Sequence, residues 1–147
     1  MHPQELLDAL NKAQIETNLN PLAVWAISRY LQGLWRDIPS KHIRPFDLGR
    51  AMSAFFVDLS QHRLPEKIWK QTPETEPMLL KFFGAGEGSL AHFWSQSLEI
   101  WSVVLEPFPV YAKDVKTYFE MLLQSSLQDR RSEYAIAPVQ TLQEPVE

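Results

Sequence analysis

The chain has 147 residues, a mass of 17.0 kDa, no cysteine and a formal charge of −4. That size fits one domain, and 45% hydrophobic with 22% charged residues excludes wholesale disorder. The missing cysteine excludes a disulfide framework, thiol catalysis and cysteine-held zinc or iron–sulfur sites, and the negative balance weighs against non-specific affinity for nucleic acid.

Apolar residues recur at helical spacing, and no run alternates with period two. The expected fold is therefore all-α, a single-domain bundle of about five or six helices. A first helix near 3–17 carries Leu6, Leu7, Leu10 and Ile15 on a modest stripe. A second starts sharply, with Asn20 as cap and Pro21 at the first helical position, where a missing N–H costs nothing. Its stripe is Val24, Ile27, Leu31, Leu34, Trp35 and Ile38, widened by Trp25 and Tyr30, and Pro39 ends it.

Residues 40–44 read as a loop, after which Pro45 opens a third helix with Asp47 in its first turn. The buried face of that helix is Leu48, Met52, Phe55, Phe56 and Leu59. Prolines 65, 73 and 77 leave room only for a short helical turn around Ile68 and Trp69. A helical stretch over 78–83 is broken by the glycines that follow. The next helix, 89–105, aligns Leu90, Trp94, Leu98, Trp101 and Leu105. Pro107, Phe108 and Pro109 make a rigid corner before a last helix over 110–131. Its expected inner face is Tyr111, Val115, Tyr118, Phe119, Leu122 and Ser126, backed by Leu123 and Leu127. Residues 1–137 are expected to form the helical domain and 138–147 a flexible acidic tail.

The N-terminal sequence lacks a basic region leading into an apolar one, and no stretch nears the ~20 apolar residues needed to span a bilayer. A cytoplasmic protein without a membrane span is the expectation. Catalytic motifs are not found. Gly84, Gly86 and Gly88 precede a helix, as in phosphate-cradling loops, but no lysine follows and Glu87 would repel an anion. A helix cap followed by a turn explains them better. Asp58 and His62, four apart on one helix, could share a divalent ion, yet two ligands make no site, so no metal and no cofactor is expected.

Charge is segregated. Over residues 36–70 the basic Arg36, Lys41, Arg44, Arg50, Arg63, Lys67 and Lys70 outnumber Asp37, Asp47, Asp58 and Glu66. Over 74–106, Lys81 stands against Glu74, Glu76, Glu87, Glu99 and Glu106. Arginine and aromatic side chains dominate interface hot spots. Trp35, Arg36, His42, Arg44 and Arg50 therefore make the candidate partner surface, with Phe108 as a second exposed anchor. The leading expectation is a non-enzymatic helical interaction module whose partner is another protein or a second copy. Two alternatives stand beside it. One is a bundle holding an apolar or tetrapyrrole ligand among His92, Phe93, Trp94 and Trp101; the other is an enzyme whose residues converge only in space.

Overall fold

A computed structural model describes residues 1–69 and 72–128. The expected end of the last helix beyond 128 and the expected tail at 138–147 lie outside the described residues, as does Lys70. Among the described residues there is no strand. The described residues form seven α-helices in order: α1 Pro3–Glu16, α2 Pro21–Trp35, α3 Pro45–Ser60, α4 Glu66–Trp69, α5 Thr75–Phe83, α6 Leu90–Val104 and α7 Pro109–Gln128. The all-α expectation holds, and the four-residue α4 is the short turn foreseen between prolines.

Local chemistry sets most boundaries. Proline is the first residue of α1, α2, α3 and α7, where its fixed φ suits the helix and its lost donor has no helical partner anyway. Asn20 Oδ1 accepts from the backbone N–H groups of Leu22 at 3.0 Å and Ala23 at 3.1 Å. The Ser89 hydroxyl likewise caps α6 by accepting from His92 N at 3.3 Å. Gly84 closes α5 in the left-handed region at φ 68°, and Gly88 repeats that φ before α6 starts.

The helices enclose one hydrophobic core. α6 and α7 form the most extensive pairing, turned back on each other through the Pro107 corner. α1 pairs with α2, and α3 lies against α7 and α5. Phe55, Phe83, Phe93, Trp101 and Phe119 are fully buried. Several join a run of edge-on and tilted rings: Tyr30 to Phe55, Phe55 to Phe83, Phe83 to Phe93, Phe93 to Trp94 and Trp94 to Phe119, with centroids 5.1–5.6 Å apart. Such contacts add to the area each ring buries, and they link α2, α3, α5, α6 and α7.

Four apolar positions depart from expectation. Ile15 is 83% exposed. It stands nine residues after Leu6, and at 3.6 residues per turn that is about half a revolution away; Ala9 and Ala13 complete the buried stripe instead. Ile38 is half exposed because α2 stops at Trp35, and Leu34, in the last turn of α2, is half exposed as well. Pro39 disfavours helical backbone at the residue before it, so the chain unwinds through a turn closed by Ile38 N donating to the Trp35 carbonyl. Leu127 also faces outward, at 52% exposure.

Candidate functional site

The basic segment divides between two places. Arg44 precedes α3, and Phe46 and Arg50 occupy its first turns one helical turn apart. Phe46 is 46% exposed, which is unusual for so large a ring in this chain. The guanidinium carbons of Arg44 and Arg50 stand 6.0 and 5.7 Å from its centroid. One phenyl ring therefore carries two cations, held by its negative π-face and by contact along the arginine stems. On its edge lies Tyr118 of α7, with centroids 6.2 Å apart.

The two arginines differ electrostatically. Arg44 donates through Nε to Asp47 Oδ2 at 3.0 Å and through Nη2 to Oδ1 at 3.2 Å. Its backbone N–H also donates to Asp47 Oδ2 at 3.0 Å, which holds the carboxylate at the positive end of the α3 dipole. Chiefly through the Arg44 side-chain hydrogen bonds, with Lys41 adding its charge from 3.9 Å, the Asp47 carboxyl is held down at about 2. Arg50 has no carboxylate partner among the described residues. The face thus presents an exposed ring, one neutralised cation and one cation still available for an acidic group.

The remaining candidates fall elsewhere. Trp35 is a correction: at 6% exposure it is core, because it continues the buried Ile27 and Leu31 face at four-residue intervals, and it cannot be an exposed anchor. Arg36 is exposed, 3.8 Å from Asp37, and borders a groove that contains neither Arg44 nor Arg50. His42 is exposed but engaged: its Nδ1 accepts from the Met1 amino group at 3.2 Å, beside an Ile43 N–H donating to the Met1 carbonyl at 2.7 Å. Phe108 is half-buried against the core, and it borders a separate groove with Glu5, Asp8, Ala9 and Lys12.

The residues of the ligand alternative divide between core and surface. Phe93, Trp94 and Trp101 are between 0 and 3% exposed and packed among other rings and aliphatic side chains. His92 lies at the surface, where its Nε2 donates to the Phe82 carbonyl at 2.9 Å and so caps the end of α5. Trp101 also lines a narrow gap between α6 and α7, with Leu98, Val115 and Phe119. Asp58 and His62 separate as well. Asp58 accepts from the Tyr30 hydroxyl at 2.7 Å and from Arg63 at 3.3 Å, whereas His62 turns away at φ 56° and donates to Glu76 at 2.9 Å. No group of three or more potential metal ligands occurs among the described residues. No helix among them is long and apolar enough to cross a membrane.

Phe46 and Tyr118 are the functional candidates that the sequence reading passed over. Phe46 lies off the Leu48–Met52–Phe55 stripe and one turn before Arg50, a pattern that marks an exposed aromatic with a cationic neighbour. Comparison with protein-family models, curated proteins and solved structures finds no match.

Proposed function

We propose that the protein is a cytoplasmic, non-enzymatic helical interaction module that docks an acidic segment of a partner protein across Arg44, Phe46 and Arg50. The observation that carries this reading is the half-exposed Phe46 ring between two guanidinium groups, one of them without a carboxylate. A ring already backed by Tyr118 loses little freedom on binding, and arginine beside an aromatic is the composition of interface hot spots. The unpaired charge of Arg50 gives such a face its preference, steering carboxylates toward it and repelling basic competitors.

Native mass spectrometry of the tagged protein, purified gently from its host, tests the proposal. A second protein at defined stoichiometry, or a second copy of this chain, is expected with the wild type. It should be lost in both Phe46→Ala and Arg50→Glu while the helical circular-dichroism signal is kept. A partner retained by both variants, or a wild-type chain that carries none, overturns it.

A further inference from the structure

A groove of about 370 Å³ opens between the first turns of α1, the last turns of α2 and α4. Beside Trp35, its wall along α2 and the residue just past the helix is Arg29, Gln32, Gly33 and Arg36. These follow one another at i, i+3, i+4 and i+7, the spacing of a single helix face. Gln4 of α1 and Lys67 of α4 also line it, and no carboxylate does. The volume lies within the range of small-molecule sites, about 300–1,000 Å³.

The three cations are held loosely within the protein. Arg29 stands over the Trp25 ring at 5.9 Å and, like Lys67, has no carboxylate partner among the described residues. Arg36 approaches Asp37 at 3.8 Å, but both side chains are mostly in water, 67% and 89% exposed, where such a pair is weak and easily exchanged. Concentrated positive charge in a concave site raises the local concentration of anions.

Gly33 is a second, independent sign. It lies inside α2 without a left-handed φ, and a Cβ there would meet no atom within 4 Å. Neither backbone strain nor crowding requires a glycine, although glycine weakens a helix relative to alanine. What its missing side chain leaves open is the groove it borders.

We infer that this groove binds a small organic anion with two acidic groups, with Arg29, Arg36 and Lys67 supplying the charge and Gln32 further hydrogen bonds. Arg29 and Arg36 stand on one face about two turns apart, and their side chains are long enough to converge on the two anionic groups of one small ligand. Arginine forks suit phosphate and carboxylate oxygens alike. None of Arg44, Phe46 and Arg50 lines the groove, so this site stands or falls separately from the docking face.

Isothermal titration calorimetry with pyrophosphate, and separately with the dicarboxylate succinate, tests the inference on the full chain at low ionic strength. Saturable one-to-one binding of at least one probe is expected, with the stronger probe telling phosphate from carboxylate recognition. The charge variant Arg29→Gln/Lys67→Gln should weaken it at least tenfold. Gly33→Leu, which places a helix-favouring side chain into open space, should abolish it while the melting temperature is kept. Absence of saturable binding by either probe, or uptake unchanged in both variants, overturns the site. So does an acidic peptide that binds wild type and Gly33→Leu equally while neither probe is taken up.

Discussion

Gly49 of α3 and Tyr118 of α7 are in direct contact: a Cβ on Gly49 would stand 2.5 Å from Cε2 of the tyrosine ring. Real Cβ atoms do not approach so closely, so the missing side chain is what lets α7 lie against α3. The same tyrosine then backs Phe46 on the proposed docking face. Core packing and the candidate site thus share one residue.

Opposite signs in two backgrounds follow from that contact. In the wild type, Gly49→Ala gains helix propensity but drives the Tyr118 ring aside, for a net loss of about 1 kcal/mol, or about 2–4 °C in melting temperature. In a Tyr118→Ala background the obstacle is gone, and the same substitution should stabilise by up to about 1 kcal/mol. Urea denaturation of the four proteins gives the coupling directly. Equal effects in both backgrounds would mean that the ring does not require the glycine.

Gly84 is constrained in two ways at once. Its φ is 68°, and a Cβ would stand 2.8 Å from Cδ2 of His92. Gly84→Ala should therefore cost about 2 kcal/mol, from left-handed backbone together with the clash. His92→Ala alone should cost about 1 kcal/mol, as the Phe82 carbonyl loses its donor. Combined, the two should cost less than their sum, since the small side chain removes the clash. Additive losses would show that only backbone strain matters at Gly84.

The physics that a single helix carries was legible in the sequence, and the physics that several helices share was not. Asn20 and Pro21 mark the start of α2 because capping is local. The α3 face of Leu48, Met52, Phe55, Phe56 and Leu59 is buried throughout, because periodicity needs only one helix. Ile15 shows the limit of grouping by type alone, since its angle around α1 was the deciding quantity. Arg44 and Arg50 were visible as charge, but their common target, Phe46, emerges only when their side chains fold onto it. Arg29 and Lys67 meet across a groove between α2 and α4, and no spacing in one element encodes that meeting. His62 finds Glu76 rather than Asp58 because the chain reverses after α3.

Acid should selectively weaken the start of α3. The Asp47 carboxyl lies at about 2 in the folded chain against an ordinary 3.8, chiefly through the Arg44 hydrogen bonds. A lowered folded value means that the ionised form favours the native state. Its contribution is fully present above about pH 4 and is lost as pH falls through 2. Because Arg44 is 65% exposed, solvent screening keeps the ion pair itself weak. Asp47→Asn should lose about 1 kcal/mol at pH 7, ion pair and helix-dipole interaction together. That deficit should shrink from pH 4 to pH 2 and in 1 M salt. A deficit independent of both pH and salt would assign the role of Asp47 to shape rather than charge.

Alkali should act through Tyr30. Burial, followed by the hydrogen bond to Asp58 and the charge of that carboxylate, pushes its phenol well above the ordinary 10.0, with Arg63 opposing weakly. Burial, with the charge of Asp47, pushes Tyr111 the same way. A raised folded value means that the neutral phenol favours the native state, so the stabilisation is complete below pH 10 and fades above it, as the unfolded chain ionises first. Each such tyrosine lowers stability by about 1.4 kcal/mol per pH unit beyond 10. Tyr30→Phe keeps the edge-on contact with Phe55 and removes the titrating group. At pH 8 it should cost about 1.5 kcal/mol for the lost charge-assisted hydrogen bond. Between pH 10 and 11 the stability gap between wild type and variant should close to near zero, and it should reverse only above pH 11, because only the wild type still loses the Tyr30 contribution. A gap that stays constant from pH 8 to 11 would show that the Tyr30 hydroxyl ionises as easily in the folded chain as in the unfolded one.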